Sequence, residues 1–161
     1  MVDSKAKGAR GELLARDWFR EATNLPWERT PGSGALSAAK KLKGDLYVPN
    51  EKNFFTIEVK NYEEDGVATS TLTHKSNNFL SWWTQSVREA KENGNKPLTL
   101  YKWNRSAWYI AVDLTVGEEW ANKFSIKRYM DIAFQELPTC RIFVADDLRS
   151  HLVDRMFVLM V

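Results

Sequence analysis

Gly44-Asp45-Leu46-Tyr47-Val48-Pro49-Asn50-Glu51-Lys52-Asn53-Phe54-Phe55-Thr56-Ile57-Glu58-Val59-Lys60 is the stretch that decides how this chain folds. Two apolar runs, 45–48 and 53–60, are separated by the turn signal Pro49-Asn50. The second is rich in β-branched and aromatic residues. They are predicted to pair as a β-hairpin. Side chains two apart on a strand share a face. Glu58 and Lys60 therefore stand together, and Ile57 and Val59 turn to the other side, where a core would lie. Asp45, following Gly44 at the start of the first run, reaches the polar face.

On the N-terminal side, residues 4–22 read as an amphipathic helix, with Ser4 as a candidate N-cap and Leu14, Ala15, Trp18 and Ala22 at helical spacing. Pro26 breaks the pattern, and residues 27–30 form a short extended piece. Pro31-Gly32-Ser33-Gly34-Ala35 is a glycine-rich loop that runs on into a lysine-rich connection to Lys43. Beyond the hairpin, residues 61–78 are polar and long enough for a functional loop. Residues 79–93 read as a helix stopped by Gly94. Strands are predicted over 98–102 and 107–113, joined by the turn 103–106. In the tail, 118–137 reads as mostly helical, and 141–144 and 155–161 as short strands. The order implies an α/β fold, a mixed sheet flanked by helices.

The 161 residues suit one domain, 1–161, with 113–161 the least defined part. A hydrophobic fraction of 43% and a charged fraction of 27% exclude a disordered chain. No run approaches the roughly 20 apolar residues of a bilayer span, and the N-terminus lacks the apolar stretch of a secretory signal. Cys140 is the only cysteine, which excludes an intramolecular disulfide and a cysteine zinc cluster and points to a reducing, cytoplasmic setting. The two histidines, His74 and His151, do not form a histidine metal site. Net charge is only +2, yet residues 1–43 carry nine basic against five acidic side chains. Such a bias suits a phosphate-binding face, and a solvated helix accounts for it equally well.

A carboxylate pair with a lysine beside it is the equipment of phosphodiester cleavage. Mg²⁺ takes a few carboxylate oxygens and keeps several waters. It polarises the phosphate and acidifies a water, and a lysine can orient that water or stabilise charge on the phosphoryl oxygens. Glu12, on the first helix, offers a third carboxylate. A lone Glu-x-Lys carries little weight. Its strand setting and Asp45 upstream raise it above a salt-bridged surface strand.

Gly44-Asp45 followed by Glu58-Val59-Lys60 resembles the PD-(D/E)xK nuclease motif, with Gly44 where the name-giving proline often stands. Within that superfamily the chain is most similar to the Holliday junction resolvases of archaeal and phage type. The likeness is carried by Lys7-Gly8-Ala9-Arg10-Gly11-Glu12, by Arg29-Thr30-Pro31-Gly32-Ser33-Gly34-Ala35, by the hairpin, and more weakly by Lys96-Pro97-Leu98-Thr99-Leu100-Tyr101-Lys102. It covers about the first 112 residues. The resemblance implies a restriction-endonuclease-like central mixed sheet flanked by helices. It implies that Glu12, Asp45, Glu58 and the Val59 carbonyl bind one or two Mg²⁺ ions, with Mn²⁺ able to substitute, and that Lys60 assists the attacking water. Arg10, Arg29 and Ser33 would contact the DNA backbone. The partner implied is branched DNA, a four-way junction, cut by a homodimer. Nicking, flap-cutting or restriction-like action on other DNA remains open, as does a non-catalytic DNA-binding module.

Other residues carry two readings each. Gly32 and Gly34 could admit a phosphate beside Ser33, or mark a plain surface loop. Gln85 could line the metal site or touch a base edge, or be an exposed helix glutamine. Lys102 could bind phosphate or be an edge-strand lysine. Trp82-Trp83 could stack on bases, although at least one should be core. Trp103 and Trp108 read as packing residues.

Overall fold

The computed structural model describes residues 3–31, 42–68 and 78–152. Helix α1 (Ser4–Thr23) is capped by Asp3, whose carboxylate accepts from the Lys5 N–H, so the cap lies one residue before the predicted Ser4. Gly11, Ala15, Trp18, Phe19 and Ala22 form its buried stripe. Leu14, counted in that stripe from spacing, faces solvent, and Gly11 takes its place because α1 lies too close to the sheet for a larger side chain. The helix ends at Asn24, which adopts the left-handed conformation that asparagine tolerates.

The predicted hairpin is present. Strand β2 (Leu46–Tyr47) pairs antiparallel with β3 (Phe55–Tyr62), Leu46 opposite Ile57. Asn53 fixes the turn by accepting from the Val48 N–H and donating back to the Val48 carbonyl. The extended piece after Pro26 is β1 (Glu28–Arg29), which pairs with β2 at the edge.

From β3 the chain crosses to helix α2 (Asn78–Asn93) and returns as β4 (Lys96–Trp103), parallel to β3 along its full length. Gly94 (φ +70°) ends α2: its N–H bonds the Lys91 carbonyl and the Asn95 N–H bonds the Ala90 carbonyl, a Schellman arrangement. Strand β5 (Tyr109–Asp113) turns back antiparallel on β4. Asp113 then caps helix α3 (Leu114–Lys123) through the Val116 N–H.

The tail departs from its predicted reading. The helix stops at Lys123, and β6 (Tyr129–Ile132) follows where a continued helix was expected. Ser125 adopts φ +54°, which breaks the helix, and β6 gains a partner in β7 (Cys140–Val144). Asp131 and Arg141 are opposite each other in that pair and are joined by two hydrogen bonds, with the guanidinium 3.7 Å from the Tyr129 ring. Cross-strand pairing of this kind overrides a local helical preference. The strand predicted over 141–144 is β7, and a short helix α4 (Ala145–Arg149) follows it. The strand predicted over 155–161 lies outside the described residues.

The described strands form one mixed sheet of seven, in the order β1-β2-β3-β4-β5-β7-β6. The part expected to be least defined thus contributes its far edge. On one face, α1, α3 and α4 enclose Phe19, Trp27, Ile57, Val59, Leu98, Leu100, Trp120 and Leu148. On the other, α2 packs Phe79, Trp82 and Trp83 against Tyr101 and Ile142. This is the α/β fold with a central mixed sheet and flanking helices.

A carboxylate-lined candidate active site

The alternation read from the hairpin places its side chains as expected. Ile57 and Val59 enter the α1-side core, and Glu58 and Lys60 face α2. Gly44 prepares the entry of Asp45. Its φ of +87° is a conformation glycine adopts freely, and a Cβ there would lie 2.9 Å from the Ile57 carbonyl oxygen. The Asp45 N–H donates to that oxygen at 2.7 Å, and one carboxylate oxygen of Asp45 accepts from the Val59 N–H at 2.7 Å. The carboxylate is thereby tied across the hairpin, one residue away from Glu58.

Glu58 is only 2% exposed. Its carboxyl pKa is pushed up to about 9, first by burial and then by the neighbouring carboxylates of Asp45 and Glu89. Burial also raises Asp45, to about 6, with Glu12, Glu89 and Lys60 as charged neighbours and the Val59 N–H as the main opposing influence. Lys60 lies 3.6 Å from a Glu58 oxygen and donates at 2.8 Å to the Gln85 side-chain carbonyl.

A cavity of about 430 Å³ opens over these groups, with Glu12, Asp45, Glu58, Lys60 and Gln85 among its walls, and Lys7, Val59 and Asn61 beside them. Glu12 is brought to the cavity by the third turn of α1, but one of its oxygens is engaged by Arg29 of β1, at 2.8 Å from Nε and 2.6 Å from the terminal nitrogen. Arg29 is thus an internal partner of the site. Arg10 stands exposed on α1. Lys102 is not brought to the cavity: it pairs in register with Asn61, one step out of phase with Lys60, and its ammonium lies 5.5 Å from the Trp108 ring centre. Ser33 lies outside the described residues, as does His74. Trp82 and Trp83 are both buried, so neither presents an open face for a base; Trp83 donates to the Pro138 carbonyl.

One acidic residue went unread in the sequence. Glu89 of α2 accepts from the Gly44 N–H at 3.2 Å and from the Gln85 amide at 3.1 Å, and its carboxyl is hydrogen-bonded to that of Glu58. Burial works to raise its pKa, but the hydrogen bonds from Glu58, Gln85 and Gly44 together hold it below the usual value. The available signal was its spacing, one helical turn after Gln85 and on the same face.

By chemical type, though not by their present arrangement, the donors suit a hard divalent cation. Several carboxyl groups from separate elements crowd a partly dry cavity, where their mutual repulsion is relieved by positive charge. Among the described residues no group of three or more histidine, cysteine, aspartate or glutamate side chains is arranged so that it could hold a metal ion. The ligands present are oxygen donors, the class suited to Mg²⁺ or Mn²⁺.

A family model described as "Phage putative PDDEXK endonuclease" matches residues 3–143. The chain belongs to this PD-(D/E)xK family. The match runs past residue 112, where the sequence likeness had faded, and takes in β6 and nearly all of β7. Protein D14 of Escherichia phage T5 is similar to this PD-(D/E)xK chain, 40% identical over 115 residues that make up 70% of the chain and 72% of the relative. Asp45, Glu58 and Lys60 all lie within the matched residues. No helix among the described residues is long and apolar enough to cross a membrane.

Proposed function

We propose that this PD-(D/E)xK protein is a Mg²⁺-dependent DNA endonuclease that cuts branched DNA, four-way junctions foremost, as a homodimer. The observation that carries the chemistry is the joining of Asp45, Glu58 and Lys60 in one cavity, with Glu58 almost wholly buried. Asp45, Glu58 and the Val59 carbonyl would hold the cation, with Glu12 approaching from α1. Mg²⁺ there supplies Lewis-acid polarisation of a phosphate oxygen and acidifies a water at neutral pH, and Mn²⁺ supplies the same. Gln85 holds the Lys60 ammonium beside Glu58, where it can orient a water and offset charge gathering on the phosphoryl group. Arg29 pairs with Glu12 and adds positive charge at the rim, and Arg10, Ser33 and Lys102 are assigned to the DNA backbone.

Junction preference and dimerisation rest on the sequence likeness to junction resolvases. Two sites related by a twofold axis match the symmetry of a four-way junction, so opposed strands would be nicked together. The test compares cleavage of a four-way junction, a flap, a nicked duplex and a linear duplex at one salt concentration, because backbone affinity depends steeply on salt. The junction should be cut first, with paired nicks. Glu58→Ala should abolish cleavage, and Lys60→Ala should lower it on the order of 10²–10³-fold, both with junction binding retained. Faster cutting of linear duplex would remove the junction assignment; full activity in either variant would remove the site.

A further inference from the structure

We propose that Tyr62 receives an unpaired nucleobase on its ring, beside the phosphate that is cut; the assignment rests on the nuclease reading of the cavity.

Glu58, Lys60 and Tyr62 follow one another at the two-residue period on the α2 face of β3, which sets Tyr62 about 7 Å along the strand from Lys60. All three line the same cavity. Tyr62 is 40% exposed, and of the five large hydrophobic side chains exposed among the described residues it alone lines that cavity.

The ring is held from behind. Trp82 of α2 packs against it with ring centres 4.7 Å apart and planes inclined by 35°. Trp82 is itself buried and wedged in place. A Cβ at Gly66 would come within 2.5 Å of its ring, and the rings of Tyr101 and Phe79 lie 5.6 Å and 6.2 Å from it. Tyr62 is therefore presented on a fixed backing, and a base that stacks there imposes little new ordering on the protein.

Charge divides the cavity between phosphate and base. The Lys60 ammonium, next to Glu58, suits a phosphate. Beside Tyr62 the wall carries a balanced pair, Glu63 and Lys7, which approach each other at 4.0 Å. That end offers a phosphate little net attraction and offers a base an aromatic face, which binds any base by stacking. A duplex would have to give up a stacked pair to fill this place, whereas a base already unpaired at a branch point enters at lower cost.

Cleavage of a junction carrying one abasic nucleotide, placed in turn on either side of the mapped cut, tests this. On the intact junction Tyr62→Leu, which still covers Trp82 but has no ring, should lower kcat/KM by about 5–100-fold. Tyr62→Phe, which keeps the ring, should recover most of that loss. In the wild type the abasic nucleotide at the stacking position should cost a similar factor, and Tyr62→Leu should lose nothing further on that DNA. Tyr62→Val, β-branched and suited to a strand, serves should the leucine variant not fold. A ring that only packs on Trp82 would show an equal loss on intact and abasic DNA, with a lowered melting temperature. That result, a fully active Tyr62→Leu, or a wild type indifferent to the abasic nucleotide at every position overturns the proposal while the nuclease reading stands. A wild-type protein that cuts no DNA with Mg²⁺ or Mn²⁺ overturns both.

Discussion

Burying Glu58 among other carboxylates makes the metal-free folded chain hold a proton that the unfolded chain releases. Its carboxyl titrates near 9 in the fold against 4.5 for the free side chain, and Asp45 near 6 against 3.8. Both shifts are upward, so the stability they contribute is complete below pH 4 and is lost as pH climbs through 6 and then 9. The melting temperature of the protein in a chelator should therefore fall steadily between pH 5 and pH 9. Glu58→Gln should flatten most of that fall, and a variant with the wild-type slope would contradict the burial of this charge. At this scale the sequence was a good guide wherever one strand decided the outcome. Glu58 and Lys60 share a face because of the two-residue period, and nothing distant was needed to see it. The pairing of Arg29 with Glu12 was not legible for the opposite reason: it joins β1 to α1, a tertiary contact that no local pattern encodes.

Among the elements, α1 is positioned by its glycines, and the two differ in what surrounds them. A Cβ at Gly8 would meet nothing within 4 Å, whereas one at Gly11 would lie 2.8 Å from the Asn61 Cβ of β3. Gly8→Ala should stabilise the protein by about 0.5–1 kcal/mol through helix propensity. Gly11→Ala should destabilise it by about 1–3 kcal/mol, because β3 must move away from the helix. Urea unfolding of the two variants checks both signs, and stabilisation by Gly11→Ala would contradict the close packing of α1 on β3. The hairpin, α1 and α2 were legible because each carries its own periodicity and its own stop, such as Gly94. The segment now seen as β6 was not. Three of its four residues are exposed, so it lacks the apolar alternation of a half-buried strand, and its identity comes from β7 and the Asp131–Arg141 pair.

For the molecule as a whole, the sheet is a frame that a cation should tighten. A ligand bound only by the folded state stabilises it by about 2.7 kcal/mol at a hundredfold excess over Kd, roughly 5–10 °C in melting temperature for a chain of this size. Mg²⁺ or Mn²⁺ should produce such a rise, a chelator should reverse it, and Asp45→Asn combined with Glu58→Gln should abolish it. An equal rise in the double variant would place the ion elsewhere. The parallel pairing of β3 with β4 also has a kinetic side. Asp45 and Glu58 can meet through a local turn, but Gln85 and Glu89 reach them only after the chain has closed a long crossover, and such closure must be completed before its contacts repay the lost entropy. During synthesis, then, the hairpin can form early while the pocket stays open on its α2 side. On that order the α2 wall of the pocket, with Gln85, would be the last part of the site to be built, once β4 has docked beside β3.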